Sequence, residues 1–201
     1  MLRRSRQQRQ ILNRRLGRLT AMLAKPERTA QLLTRREARK ARTKFLAQIG
    51  GLSQLAGIVD HLNLHQVDLQ TSARGRDAAA VLAGALSDAA RRVRRDGADD
   101  LRGAGTARFR SNQEVRPGKP KATRRRTLIQ IGSLAGAAAL TDALGLPVLD
   151  LQDDSVRSLD AAATLLGVFI LLETGLRDPR QVADWRARGA PLLDYRRGED
   201  G

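Results

Sequence analysis

Residues 44–70 read KFLAQIGGLSQLAGIVDHLNLHQVDLQ and residues 126–152 read RTLIQIGSLAGAAALTDALGLPVLDLQ, and the two stretches align without a gap at an offset of 82 positions. Twelve of the 27 aligned positions are identical, and the similarity resumes after a one-residue shift. A chain that resembles itself at a fixed spacing is built from repeated structural units. The sequence therefore predicts a tandem duplication, with one repeat at 34–100 and the other at 124–201.

The size and composition of the chain limit what each repeat can do alone. A unit this small buries little apolar surface, so each repeat is expected to need a partner. The other copy is the nearest candidate, which predicts either a dimer of chains or an intramolecular pseudo-dimer. The 201 residues include no cysteine, which excludes disulfides and cysteine-ligated metal sites and fits a reducing, cytoplasmic setting.

Positive charge is concentrated ahead of each repeat. Residues 1–44 hold 15 basic and 2 acidic side chains, whereas residues 45–100 have a net charge of −1. Residues 101–127 hold 9 basic side chains and 1 acidic one, and residues 128–201 have a net charge of −4. The basic residues at the start of the two repeats are called the lead-ins: Arg35, Arg36, Arg39, Lys40, Arg42 and Lys44 in the first, and Arg124, Arg125 and Arg126 in the second.

Helical periodicity is present in both copies. Thr34 and Glu37 have the spacing of a capping box, which predicts a helix start followed by an apolar face that extends to Val59. After a loop, a second helix is predicted from Asp77 to the glycine at position 97. The two helices form a hairpin, and the duplication predicts another in the second copy. The predicted fold is all-α: two repeated helical hairpins with basic lead-ins, joined by a flexible linker.

Three further segments complete the predicted organisation. Residues 1–33 form a basic helical extension with a leucine stripe and lack the continuous apolar region of a signal peptide. Residues 101–123 are basic, with glycine and proline but few aliphatic side chains, which predicts a flexible linker. A short C-terminal helix is expected to begin at Pro179 and end at Gly189, with a loose tail after Leu193.

Glycines occur inside the predicted first helix of each repeat. Gly50 and Gly51 lie in the first copy, and Gly132 and Gly136 lie in the second. Glycine in a helix interior costs up to about 1 kcal/mol relative to alanine, so a structural reason is expected. We predict that these four residues are helix-packing notches through which the two hairpins approach each other closely.

Metal binding and catalysis find no support in the sequence. His61 and His65 are four positions apart, but the second copy has Ala143 and Pro147 there, and no third ligand lies nearby in the sequence. We therefore interpret the two histidines as solvated loop residues and predict no metal. The sequence has no phosphate-binding glycine loop and no clustered histidine motif. No enzyme activity, cofactor or small-molecule substrate is expected.

The lead-ins favour a polyanionic partner. The formal charge of the chain is +16 and the lead-ins contain almost no acids, so repulsion among the arginines disfavours these helices unless a polyanion is bound. We predict that the lead-ins bind nucleic-acid phosphates, with DNA as the partner. The arginines at the end of the first hairpin are an exception, because the helix dipole stabilises cations there. They are Arg91, Arg92, Arg94 and Arg95.

The strings EARKARTKFLAQIGGL at 37–52 and LAGI at 55–58 resemble the small conjugal-transfer TraD family of plasmid proteins, which is distinct from the coupling ATPase of the same name. The second-helix pattern of the family is matched by LAGAL at 82–86 and LLGV at 165–168, and its tryptophan ending by WRARG at 185–189. The first copy lacks the tryptophan. The resemblance implies an accessory role in plasmid conjugation or mobilisation, at the relaxosome on origin-of-transfer DNA, beside relaxase or other transfer proteins.

Two other functions stay open at this point. The same arginines would suit an adaptor that binds an acidic protein such as a relaxase. The basic N-terminal stripe would suit peripheral membrane binding, although it lacks the tryptophan and phenylalanine that such helices use. No transmembrane segment is expected, because each long apolar run is interrupted by charge or is shorter than the span of about 20 residues that a bilayer needs.

Overall fold

The computed structural model describes residues 33–114 and 123–199, and these residues form helices, turns and loops but no strand. The all-α prediction is therefore confirmed for this part of the chain. Backbone contacts divide the chain into residues 1–40 and residues 41–201. Apart from the start of the first helix, both repeats lie in the second of these units.

Two series of four helices follow one another along the described residues. The first series is α1 at residues 33–55, α2 at Ile58–His61, α3 at Ala73–Asp96 and α4 at Asp99–Glu114. The second series is α5 at Arg125–Ala137, α6 at Leu140–Ala143, α7 at Val156–Gly175 and α8 at Pro179–Glu199.

The first helix of each repeat is interrupted at the same place. Gly57 has a φ of 92° between α1 and α2, and Ala139 has a φ of 55° between α5 and α6. These two residues occupy matching positions at the offset of 82. Glycine adopts this left-handed conformation readily, whereas a Cβ makes it costly. The same turn is therefore relaxed in the first repeat and strained in the second.

Two predicted helix starts are wrong. Thr34 already lies within α1, so it is not the N-cap of that helix. α3 begins at Ala73 rather than at Asp77, because the side chain of Ser72 accepts a backbone hydrogen bond from the first turn and caps the helix. Ser155 caps α7 in the same way. The serine caps satisfy backbone N–H groups that would otherwise lack partners.

Much of the segment predicted to be a flexible linker is helix α4. Leu101 is 9% exposed, Phe109 packs against the hydrophobic core, and Gly105 lies against the backbone of α7. These three residues are spaced four apart, so they form one face of a helix. The linker prediction failed because this face is sparse and is flanked by polar and basic side chains. The remainder of the predicted linker, at 115–122, lies outside the described residues.

The C-terminal helix α8 is longer than predicted. It continues past Gly189 and through Pro191 to Glu199, so the tail after Leu193 is helical rather than loose. A Cβ on Gly189 would lie 2.6 Å from the backbone nitrogen of Gly84 in α3. The glycine at 189 therefore permits close helix packing and does not end the helix.

The long helices pack across the two repeats rather than within each repeat. Among α2 to α8, the most extensive contacts join α3 to α8 and α4 to α7. A Cβ on Gly84 would lie 2.9 Å from the Cα of Trp185, and one on Gly167 would lie 3.0 Å from the Cα of Leu101. Gly84 matches Gly167 in the repeat, and Trp185 matches Leu101. The third helix of each repeat thus packs on the fourth helix of the other.

The core draws residues from both repeats. Leu165, Leu166, Val168 and Phe169 of α7 are all fully buried, in agreement with the apolar sequence of that helix. They belong to one cluster with Ile49 and other residues of the first repeat. Neither repeat therefore has a core of its own in this structure.

Candidate nucleic-acid interface

Helices α1 and α5 cross in close contact at two glycines. A Cβ on Gly50 would lie 2.6 Å from the Cα of Leu128, and one on Gly132 would lie 2.8 Å from the Cα of Leu46. Position increases along one helix as it decreases along the other, so the helices are antiparallel. Gly50 matches Gly132 at the offset of 82, and Leu46 matches Leu128. The contact is therefore made twice, by equivalent residues on opposite helices.

Gly51 and Gly136 do not take part in this close approach. Apart from the adjoining residues and backbone of its own helix, no described atom would lie within 4 Å of a Cβ on either glycine. Gly51 is rotated by about 100° from Gly50 around the helix, and Gly136 lies one turn beyond Gly132. The packing notch predicted from four glycines therefore lies at Gly50 and Gly132.

A polar network joins the first helix of the first repeat to a loop of the second repeat. The Asp150 carboxylate accepts hydrogen bonds from Lys44 Nζ and from Gln48 Nε2 (2.6 Å). Gln48 Oε1 accepts from the backbone N–H of Leu151 (3.0 Å), and Asp150 Oδ1 accepts from that of Gln152 (3.2 Å). Each polar group of Gln48 and of the carboxylate thus has a partner across the contact.

The same network occurs with the repeats reversed. Arg126 Nη2 lies 3.1 Å from Asp68 Oδ2, and Gln130 Nε2 donates to Asp68 Oδ1 at 2.8 Å. Gln130 Oε1 accepts from the backbone N–H of Leu69 (3.0 Å), and Asp68 Oδ1 accepts from that of Gln70 (2.9 Å). Every residue of this network is 82 positions from its counterpart in the other one.

Both aspartates are held in the ionised form. Hydrogen bonds from Lys44 and then from Gln48 lower the pKa of Asp150 from 3.8 to about 2. The pKa of Asp68 is also lowered, chiefly by the hydrogen bond from Gln130 and then by the backbone of Gln70. A carboxylate that accepts several hydrogen bonds favours its charged state.

These networks occupy one residue of each lead-in. Lys44 and Arg126 are matching residues, and each forms an ion pair with an aspartate of the other repeat. Their charge is already partly balanced within the protein, and they join the two repeats.

The remaining arginines of the second lead-in are directed to solvent. Arg124 and Arg125 are exposed, as is Arg42 in the first lead-in. Within 33–111 and 123–194, where side chains are described, none of these three forms an ion pair with an acidic side chain. Because α1 and α5 are antiparallel, Arg42 and its match Arg124 lie toward opposite ends of the crossing, about 18 Å apart along the helix axes at ~1.5 Å per residue.

The other four residues of the first lead-in are also exposed on α1. They are Arg35, Arg36, Arg39 and Lys40.

His65 positions the start of α5. Its Nδ1 lies 2.9 Å from Thr123 Oγ1 and its Nε2 lies 2.9 Å from Asp60 Oδ1, while its carbonyl oxygen accepts from Arg124 N at 3.0 Å. His65 is 8% exposed, so its interpretation as a solvated loop residue is wrong. Nδ1 of the other histidine, His61, lies 3.5 Å from a carboxylate oxygen of α7. His65 therefore fixes the backbone from which the second lead-in projects.

The arginines at the end of α3 lie where the sequence predicted. The helix ends at Asp96, and Gly97 follows with a φ of 83°. Arg91 pairs with Asp88 at 3.1 Å and Arg95 pairs with Asp96 at 2.8 Å. Their charges are met by the helix end and by neighbouring carboxylates.

The sequence interpretation missed the four polar residues that link the repeats. Gln48, Asp68, Gln130 and Asp150 were not singled out, because no catalytic or metal motif includes them. They are nevertheless identical between the two copies, whereas most polar positions in the aligned stretches differ. A search for polar residues that are identical in the two copies would have found them.

No family model, curated protein or solved structure matches this chain. In the part of the chain that the structure describes, no group of three or more histidine and carboxylate side chains could hold a metal ion. Taken singly, none of the described helices is long and apolar enough to cross a membrane; α7 with most of α8 meets the length and composition only as a pair bent by 117°.

Proposed function

We propose that this protein is a non-catalytic DNA-binding accessory protein of plasmid conjugation or mobilisation, acting with the relaxosome at origin-of-transfer DNA. In this proposal the two repeats form one pseudo-symmetric helical unit whose lead-ins contact phosphates. The observation that carries it is a difference in ion pairing among the arginines of the second lead-in. Arg126 is paired with Asp68, whereas Arg124 and Arg125 are exposed and have no acidic partner among the described residues.

The physical argument is electrostatic. Adjacent arginines that project from a fixed helix start repel each other, and a line of phosphates relieves this repulsion. His65 contacts the Thr123 hydroxyl and the Arg124 backbone, so the backbone that carries the arginines does not have to be ordered when the ligand binds. Contacts of this kind give affinity and position without reading the base sequence.

The resemblance of the repeats to the small TraD proteins supports the plasmid context. It covers the first helices of both copies, the LAGAL and LLGV segments and the WRARG segment. Relaxase and other transfer proteins are the partners that this context implies. The resemblance assigns no catalytic residue, and a role as a binding protein needs none.

The salt dependence of DNA binding tests the proposal. The logarithm of affinity falls by about 0.9 per neutralised phosphate for each tenfold rise in salt concentration. Replacing Arg124 and Arg125 by glutamine should lower this slope by about 0.9 for each arginine that contacts a phosphate, equally on plasmid and random duplexes. The change Arg126→Gln should have a smaller effect, because Asp68 already engages that side chain.

A matched control removes the same charge elsewhere. Arg92 and Arg94 are exposed near the end of α3, and their double replacement by glutamine should leave the slope unchanged. If both double variants lower the slope equally, net charge alone attracts the DNA, and the lead-in has no special role. If wild-type affinity for DNA barely responds to salt, an acidic protein is the better partner, and pull-down with purified relaxase becomes the decisive measurement. Sedimentation with anionic vesicles separates the membrane alternative.

A further inference from the structure

The contacts between the repeats are reciprocal. Lys44 pairs with Asp150, and its match Arg126 pairs with Asp68, which is the match of Asp150. The glycine crossing follows the same rule, and so do the two glutamines that bridge side chain and backbone. If residue i of one repeat contacts residue j of the other, then residue j contacts residue i. This is the property of an interface between two identical subunits.

A single repeat therefore carries both partners of every one of these contacts. The first repeat holds Lys44 and Gln48 together with Asp68, to which their equivalents in the second repeat bind. It also holds Gly50 together with Leu46, the pair that recurs at the α1–α5 crossing.

The exchanged helices show the same property. Gly84 of α3 packs on the backbone of Trp185, and Leu101 of α4, the match of Trp185, packs on Gly167. The first repeat thus has the glycine of one contact and the backbone partner of the other. α3 of one chain and α4 of a second chain would therefore make the same glycine-to-backbone contacts.

We propose that each repeat is self-complementary, so that the inter-repeat surface pairs with a second copy of this chain when closure within one chain is blocked: the first repeat of one chain pairs with the first repeat of the other, and the second repeats pair likewise. This inference is independent of nucleic-acid binding. The paired chains reproduce the contacts that the two repeats share, with Lys44 facing Asp68 across chains and Arg126 facing Asp150. A single chain closes on itself in preference, because the covalent connection gives its own second repeat a high effective concentration.

Exchanging the charges of two ion-pair residues within one repeat tests this proposal in the full-length protein. Variants of this kind are called rewired. One rewired variant is Lys44→Asp with Asp68→Lys. If a single chain closes on itself, the new carboxylate at position 44 lies against Asp150, and the new ammonium at position 68 lies against Arg126. Both pairs then repel. Pairing between chains places the new carboxylate of one chain against the new ammonium of the other and leaves Arg126 against Asp150, so both pairs attract. We expect this variant to double in mass relative to the 22.0 kDa chain, as measured by sedimentation equilibrium.

The control variant is Lys44→Asp with Asp150→Lys. It has the same net charge and the same composition as the rewired chain, yet both pairs attract within a single chain and both repel between chains. We expect it to keep the mass of the wild type at every concentration. The mirror pair repeats the comparison at the other network: Arg126→Asp with Asp150→Lys is rewired, and Arg126→Asp with Asp68→Lys is its control.

The mass of the rewired chains decides the outcome. A doubled mass in either rewired variant, with its control at the wild-type mass, supports self-complementary repeats. Rewired chains that stay at the mass of one chain, folded or unfolded by circular dichroism, overturn the proposal, because pairing between chains then does not restore the contacts. Doubling in both the rewired and the control variants also overturns it, since association would not follow the ion pairs.

Discussion

Helices α8 and α4 occupy matching places in the two repeats, but they are held by different chemistry. Trp185 anchors α8 at 2% exposure, and its match Leu101 anchors α4 at 9%. Trp185 Nε1 donates to Asp88 Oδ2 at 3.5 Å, and Arg188 reaches Asp88 Oδ1 at 3.1 Å. In the other half, Leu171 stands where Asp88 would be.

The difference separates what the repeats share from what each has acquired. Glycine contacts and the aspartate–glutamine networks are common to both halves and fix how the repeats join. The cluster around Asp88 belongs to one half. Burial raises the pKa of this carboxyl, but the hydrogen bond from Trp185 and the charge and hydrogen bonds of Arg188 and Arg91 outweigh burial and lower it. α8 should therefore be the more strongly anchored of the two helices.

Breaking the shared contact between α1 and α5 should have a large effect. Replacing Gly132 by leucine places a side chain against the backbone of Leu46 and should cost about 3 kcal/mol. Gly50→Leu should cost a similar amount, because it meets Leu128 in the equivalent way. Urea denaturation measures both. Gly136→Leu is the control, since a Cβ there has no described neighbour within 4 Å, and wild-type stability of the Gly132 variant would show that the helices do not cross there.

Truncating the two anchors sharpens the comparison between α8 and α4. Trp185→Ala should cost about 3 to 5 kcal/mol, because it removes a large buried side chain and leaves Asp88 without one of its donors. Leu101→Ala should cost about 2 kcal/mol. Hydrogen exchange of the backbone amides in each helix provides a second measurement. Equal losses for the two variants would contradict the stronger anchoring of α8.

The strained turn gives a smaller effect of opposite sign in the two halves. Ala139→Gly should stabilise the protein by about 0.5 to 1 kcal/mol, because it relieves a left-handed residue that carries a Cβ. Gly57→Ala should destabilise it by about 1 kcal/mol, although the nearest atom to the new Cβ would be at an ordinary 3.8 Å. Thermal melts of both variants and of the double variant check this, and a destabilising Ala139→Gly would argue against the turn.

The smallest expected effect is the pH dependence of the two networks. The pKa of Asp150 is lowered to about 2 in the folded protein, so its stabilising contribution is present at neutral pH and is lost as the pH falls from about 4 toward 2. Asp150→Asn should therefore melt below the wild type at pH 7, with the difference closing in acid. Asp68→Asn should show the same sign, because the pKa of Asp68 is also lowered. High salt should weaken both differences, since these carboxylates are accessible to solvent.

The duplication, the helical class and the role of two glycines could be argued from the sequence. Gly50 and Gly132 stand at the same place in both copies, and the cost of glycine in a helix requires a close neighbour. The capped end of α3 at Gly97 could be argued in the same way, because cations followed by glycine have a local meaning. These inferences depend on backbone geometry and periodicity within a few turns of helix.

Tertiary structure alone decided which helices pair and that Lys44 and Arg126 form ion pairs with the opposite repeat. Alignment of the two copies shows that Lys44 corresponds to Arg126, but a contact within a repeat and a contact exchanged between repeats leave the same pattern of identities. α4 was missed for a related reason: the face formed by Leu101, Gly105 and Phe109 has few apolar side chains, and Leu101 and Gly105 become buried only where α7 covers them. The sequence by itself determined the repeated units and their local helices. The packing of each third helix on the fourth helix of the other repeat depends on burial between distant segments. The pairing of Lys44 and Arg126 with aspartates far along the chain depends on charge neutralisation between such segments. Only the folded chain brings these segments together.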